Sequence, residues 1–328
     1  MKLDVENARK CLPESVLVDF DNIVNQKVLG ASTHIKLIGN MIEQICLEAI
    51  KSTSSVNCLC DKIKTVVDYF IQTRGEASQA IVNALLQMTQ GLNCYSDTDD
   101  VKEVAHKIID TKMQYDVKAK ADINKVVEYA CEIANQYDHI LVYDYSSTVE
   151  AMIRNLKPGK TIYIAESRII NGGFPFVKAS YEAHHKIKFF SDASLMYYLK
   201  ECDVAFMGVE TFFPDGTGFN TTGSDIVGLI CDYYKIPLYM ITPMVKLDVR
   251  PLYGKRKDLV IVDLNNKLAP IANPEKLAID IDYKTPELIG VNPAHIHAFI
   301  SEYGVIPSNQ MYEISRRYAK ILRGEDNV

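Results

Sequence analysis

Hydroxyl, carboxylate and glycine residues capable of site chemistry gather in one stretch, Asp203 to Pro243, where Gly216, Gly218 and Gly223 alternate with Thr217, Asn220, Thr221, Thr222 and Ser224. Glycines let a backbone approach a ligand closely, and the neutral side chains between them offer hydrogen bonds. A helix is expected from about Gly223 or Ser224, with Asp225 in its first turn. Free N–H groups at such a start, beside hydroxyls, suit a phosphate or another anion. Two known phosphate patterns fail here. From Gly218 the spacing is that of a P-loop without its lysine, and from Gly216 the dinucleotide fingerprint is missed by two residues. A glycine-rich connection that only turns the chain stays open as the plainer reading.

The elements that must position this stretch are short apolar runs. Val204 to Gly208 and Leu238 to Ile241 read as parallel strands covered on both faces, with a loop and one helix between them. Further strands are expected at His139 to Tyr143, Thr161 to Ala165, Ile187 to Phe190 and Leu259 to Asp263, all in a doubly wound, mostly parallel, Rossmann-like sheet. Ligands of such sheets collect at the carboxyl ends of the strands. Those ends carry Asp144-Tyr145-Ser146-Ser147-Thr148, Glu166-Ser167-Arg168, Asp192, and Glu210 with Asp215 to Ser224. Converging, they would form a polar crevice with hydroxyls, one arginine and several acids, suited to a small phosphorylated or hydroxylated ligand.

Before His139 the pattern is helical. Apolar residues recur near every 3.6 positions in Val16 to Val28, Ser32 to Lys51, Ser54 to Gln72 and Glu76 to Met88, and one long helix or a broken pair runs on to Tyr137. The expected organisation is a helical domain over 1–137 and a Rossmann-like α/β domain over 138–328. With 36 basic and 42 acidic residues interspersed, the net charge of −6 argues against binding nucleic acid by phosphate neutralisation. Eight cysteines lack disulfide-like spacing, and no run of about 18 apolar residues spans a bilayer, so a cytoplasmic protein away from membranes is expected. His184-His185 and His295-x-His297 lack cysteine or carboxylate partners at ligand spacing, so neither metal nor cofactor is expected. Tyr197-Tyr198 and Tyr233-Tyr234 read as core or dimer contacts, and Gly254-Lys255-Arg256-Lys257 as a small basic loop.

The chain resembles the translation initiation factor 2B family, which holds regulatory subunits of that factor alongside isomerases of methylthioribose 1-phosphate and ribose 1,5-bisphosphate. Ile140 to Val149 is similar to its first strand and loop, and Ile162 to Arg168 to its E-[ST]-R strand end. Gly208-Val209-Glu210 stands where the family has Gly-Ala-Asp, and Asp215-Gly216 through Asn220 to Gly223-Ser224 where it has Asn-Gly and Asn-Lys-Ile-Gly-Thr. Ile236 to Tyr239, Pro243 to Leu247, Tyr283 to Pro286 and Phe299 to Pro307 continue the likeness in order, and Val28 to Ser32 resembles a segment of its helical domain.

The resemblance implies a catalytic cysteine and aspartate in the isomerases, and their positions here hold Asp144 and Thr217. An ionised carboxylate does not replace a thiol, and threonine is no carboxylate acid-base. Leu29 replaces a family arginine, and Thr221 a lysine. The ligand-binding set implied is Ser146, Ser147, Thr148, Arg168, Glu210, Asp215, Gly216, Asn220 and Thr221. Two functions follow from the resemblance: a regulatory-subunit-like homodimer, with related subunits as further partners, that binds a phosphorylated small molecule in a degenerate pocket; or an aldose-ketose isomerase of a sugar 1-phosphate in which Asp144, with Glu210, Asp215 or Asp225, has taken over the acid-base work.

Overall fold

The computed structural model describes residues 4–28, 30–52, 54–76, 78–255 and 261–325. Leu29, Arg256, Lys257 and the start of the Leu259 strand lie outside the described residues. The chain divides into two compact units: residues 1–124, 244–249 and 313–328, and residues 125–243 with 250–312.

The first unit contains α1 (Val5–Lys10), α2 (Leu17–Val24), α3 (Ala31–Lys51), α4 (Val56–Arg74), α5 (Gln79–Met88) and residues 101–124 of α6 (Val101–Ala134). Each helix buries one stripe. Ile38, Met41, Ile42 and Ile45 of α3 meet Leu59, Ile63, Val66 and Phe70 of α4 in one core, with Phe20 of α2 edge-on to Phe70 at 5.5 Å. Free N–H groups are capped by side chains, as where Asp100 accepts from the Glu103 N–H at 2.9 Å at the start of α6. Segment 244–249 belongs to this unit because the buried Asn83 amide of α5 donates to the Val245 and Leu247 carbonyls at 2.9 and 2.7 Å.

The second unit is built on β1 (His139–Tyr143), β2 (Thr161–Ala165), β3 (Lys186–Phe190) and β4 (Val204–Gly208), with α7 (Ser147–Asn155), α8 (Phe174–Glu182) and α9 (Leu195–Leu199) between them. Next come β5 (Thr211–Phe212), β6 (Gly218–Thr221), α10 (Ser224–Tyr234), β7 (Leu238–Ile241), β8 (Ile261–Asp263), α11 (Asn265–Ala272), β9 (Lys284–Pro286), β10 (Leu288–Val291), β11 (Ala298–Ser301) and β12 (Gly304–Pro307), while α12 (Met311–Leu322) belongs from Glu313 onward to the first unit. The main sheet has seven strands in the order β12-β11-β7-β4-β1-β2-β3, parallel except for β12. Every residue of β4 and β7 is buried, which explains their unbroken apolar runs.

Alternation along the strands gives the sheet two apolar faces. Ile140, Val142, Ile162, Ile164, Val204 and Phe206 pack with Val149, Met152 and Ile153 of α7, Phe176 of α8 and the end of α6. On the other face lie α9 and α10, whose Gly228 reaches Leu238 and whose neighbour Tyr198 lies 6.4 Å from the Tyr163 ring. The helix after β1 thus covers one face and the helix after β4 the other, with the two strands adjacent. That is a topological switch point, where a crevice opens at the carboxyl ends.

Two expectations are corrected. Gly218 to Thr221 is a strand, β6, in a second sheet ordered β10-β6-β5, and not part of a loop between β4 and α10. Its pairing with residues 288–291 is non-local, and Gly and Asn weaken its strand signature. The described part of the Leu259 to Asp263 run, β8, does not join the main sheet and, among the described residues, pairs with β9. The sixth and seventh places are taken by β11 and β12. Among the described residues no helix is long and apolar enough to cross a membrane, and no group of three His, Cys, Asp or Glu could hold a metal ion.

Candidate functional site at the switch point

Chain direction reverses sharply at the ends of β1 and β2. Asp144 and Ser167 both have left-handed backbones, with φ of +59° and +46°, so each strand turns at once towards its neighbour. The turn buries both side chains, and the Ser167 hydroxyl donates to Asp144 Oδ1 at 2.9 Å. The Thr221 hydroxyl from β6 and the Tyr145 N–H also hydrogen-bond to this carboxylate. Asp144 therefore ties together the ends of β1, β2 and β6. Burial raises its pKa above the usual carboxylate range and the nearby Asp192 adds to this, while the three hydrogen bonds act in the opposite direction.

Asp192 holds the second strand end in place. Its two carboxylate oxygens accept the N–H groups of Ser167 and Arg168, at 2.9 and 2.8 Å. With the backbone so fixed, the Arg168 side chain extends outward, 66 % exposed, and lies 3.7 Å from Glu166. The following turn folds back on Asp144: a Cβ on Gly172 would lie 2.2 Å from Asp144 Oδ1 and 2.8 Å from the Tyr145 nitrogen. Tyr143, buried at the end of β1, donates to the Thr222 carbonyl at 3.2 Å. Its pKa is raised, first by burial and then by Asp192, Asp144 and Asp225, which places these acids around one point.

The α7 start forms the adjoining wall. Ser146 caps it, its hydroxyl accepting from the Val149 N–H at 3.4 Å, and packs against Gly208 at the end of β4. Ser147 is exposed and Thr148 half-buried in the first turn. At 3.4 Å the cap is a long one, so Ser146→Ala should cost the second unit about 0.5 kcal/mol in urea unfolding, the lower end of the range for cap loss. A loss above about 2 kcal/mol would show that Ser146 supports more than the helix start.

The structure thus brings Asp144, Ser167, Thr221, Asp192 and the Ser146 to Thr148 turn to one end of the sheet, with Arg168 at its edge. Asn220 is buried on the opposite face of β6 by strand alternation. Asp215, Gly216 and Thr217 lie at the far end of β6: the Asp215 carboxylate accepts from the Thr217 N–H at 2.9 Å, and Gly216 packs on the Ser308 carbonyl. Four steps of extended chain carry Thr217 away from Thr221, a reach of about 13 Å. Glu210 is half-buried, and its N–H donates to the Phe219 carbonyl at 2.8 Å. Sequence reasoning did not single out Gly172, and it noted Ser167 and Asp192 only as strand-end residues. The Gly172-Gly173 doublet directly after the E-S-R strand end was the available signal.

Comparison with known proteins agrees with this architecture. The chain is 22 % identical over 308 residues to ribose 1,5-bisphosphate isomerase of Methanocaldococcus jannaschii, covering 91 % of this chain and 94 % of that one. Translation initiation factor eIF-2B of Pyrococcus horikoshii has the same fold, with a TM-score of 0.69 at 16 % identity over 90 % of this chain and 98 % of that one. So does 5-methylthioribose 1-phosphate isomerase of the same organism, with a TM-score of 0.67 at 16 % identity over 96 % and 92 %. The Initiation factor 2 subunit family profile matches residues 32–308. With a match across most of its length, this chain belongs to the Initiation factor 2 subunit family.

Proposed function

We propose that the chain is a regulatory-subunit-like member of this family, which binds a phosphorylated sugar or nucleotide at the carboxyl ends of β1, β2 and β4 without isomerising it. The state of Asp144 carries this reading. Its carboxylate is buried, is engaged by Ser167, Thr221 and Tyr145, and has no acid-base partner in Thr217, which lies at the other end of β6. The phosphate would be met by the exposed Arg168 guanidinium and by the Ser147 and Thr148 hydroxyls on the first turn of α7. Thr221, on the face of β6 turned to Asp144, would meet the remainder of the ligand, whereas Asn220 on the other face and Asp215 and Gly216 at the far end of β6 would stay clear of it. Two copies would associate through the second unit, in the cytoplasm, alone or with related subunits.

A second reading is isomerase activity. The near full-length likeness to a ribose 1,5-bisphosphate isomerase favours it, as does a buried carboxylate whose pKa is raised towards the range useful to a general acid. Calorimetry with ribose 5-phosphate, ribose 1,5-bisphosphate, methylthioribose 1-phosphate and nucleoside monophosphates, followed by deuterium exchange at the sugar C2 of whichever binds, separates the two. Binding without exchange, weakened about tenfold or more by Arg168→Ala, is the expected result. Exchange that disappears in Asp144→Asn would transfer the chain to the isomerases.

A further inference from the structure

Residues 261–287 form an arm with no core of its own. Its strands β8 and β9 pair with each other, α11 has no buried residue, and every residue from 261 to 290 is exposed or half-buried. A segment that buries so little is held by its polar contacts, and two sets of them tie it to the strand ends. At the foot of the arm the Thr222 N–H donates to the Glu287 carbonyl at 3.3 Å, and the Thr222 hydroxyl donates to the Pro286 carbonyl. Across from it, the Lys267 ammonium on α11 donates to the Ile169 carbonyl in the turn after β2.

Both anchors are next-door neighbours of site residues. Thr222 follows Thr221, whose hydroxyl engages Asp144, and Ile169 follows Arg168 in the turn whose Gly172 lies against the same carboxylate. The arm thus runs from the end of β6 to the end of β2, beside the strand end that holds Asp144. Charge there is one-sided. Asp144, Asp192 and Asp225 gather around Tyr143, and Glu166 lies 3.7 Å from Arg168, so the guanidinium faces four acids. A phosphate would add about two further negative charges, and their repulsion must be offset by a cation close at hand. Lys267 is exposed and spends on a neutral carbonyl one of the three protons of its ammonium, one residue along from Arg168.

We infer that the arm of β8, α11 and β9 closes over a ligand at the strand ends, and that Lys267, turning from the Ile169 carbonyl, meets the ligand's phosphate beside Arg168. This rests on the ligand reading above and adds to that site a cation from outside the sheet. The exchange supplies its own driving force: an ammonium bound to phosphate makes a charge-assisted hydrogen bond, stronger than the one it leaves on a neutral carbonyl. The ligand therefore favours the closed arm over the open one, as a shift between two states requires. Leu268 and Ile271, at i and i+3 on α11, and Ile170 on the turn are all exposed, so α11 coming down on the turn takes apolar surface out of water.

The test uses the full chain with the phosphorylated compound, ribose 1,5-bisphosphate or a nucleoside monophosphate, that calorimetry shows to bind. Lys267→Gln can still donate to the Ile169 carbonyl but carries no charge, and it should weaken binding about tenfold. Lys267→Arg keeps the charge and should hold affinity within about threefold. Hydrogen–deuterium exchange read by mass spectrometry reports the arm itself. The amides of 261–286 should exchange quickly in the free chain and about tenfold more slowly once it is saturated, and Lys267→Gln at saturation should lose most of that slowing. Binding that Arg168→Ala weakens and Lys267→Gln leaves unchanged, or saturation that does not slow the arm, would overturn the proposal and leave the ligand reading standing. A native chain that binds none of these compounds removes both.

Discussion

Gly172→Ala is expected to cost the second unit about 3 kcal/mol and to abolish ligand binding, although the backbone of Gly172 is not left-handed and alanine suits it conformationally. The cause is space. The added methyl would fall 2.2 Å from Asp144 Oδ1, 2.8 Å from the Tyr145 nitrogen and 3.2 Å from Asp144 Cα. Two of these three atoms are backbone and cannot swing away, and the third belongs to a carboxylate held by Ser167, Thr221 and Tyr145. Relief requires either the 167–173 turn to lift, breaking the hydrogen bonds of Asp192 to the Ser167 and Arg168 N–H groups, or the Asp144 carboxylate to leave its partners. Each route leaves buried polar groups unpaired at about 1–3 kcal/mol apiece. Urea unfolding and calorimetry on the same sample read both effects; a variant as stable as the native chain would mean that the turn is not seated on Asp144 in solution.

Much of this arrangement was legible in the sequence, for definite reasons. The runs at 139–143, 161–165 and 204–208 are apolar without interruption because a parallel strand is covered on both faces, and a switch point follows from their order. The first two carry at their ends Asp144 and the E-S-R segment, as read. What was not legible is non-local. β6 has the sequence of a turn, and only pairing with residues 288–291 makes it a strand; once it is one, alternation sends Thr221 to Asp144 and Asn220 to the other face, and its length carries Thr217 away. The two hydrogen bonds to Asp192 likewise depend on β2 and β3 lying side by side, which no spacing along the chain reveals. Local pattern located the strand ends, and tertiary contacts decided which residues meet there.

Asp144→Asn should make the protein more stable at neutral pH, and the direction follows from linkage. Folding buries Asp144 and raises its pKa, so between the ordinary carboxylate value and the raised one the folded chain holds a proton that the unfolded chain has lost. The unfolded state then binds fewer protons, and stability falls as pH rises through that window. Above it the penalty is complete, and it is absent in acid below the unfolded value near 4. Asparagine cannot ionise and carries no such slope. It also tolerates the left-handed backbone at φ +59° and keeps one oxygen, with two lone pairs, for the Ser167 and Thr221 hydroxyls. The difference in unfolding free energy between variant and native chain should therefore be positive at pH 7 and shrink towards zero near pH 3.5. A flat difference across that range would mean that Asp144 ionises as freely in the folded protein as in the unfolded chain. A carboxylate kept at the switch point against the stability of its own fold is best explained by what it does for a ligand, so the stabilised variant should also be the one whose affinity for the sugar phosphate has changed.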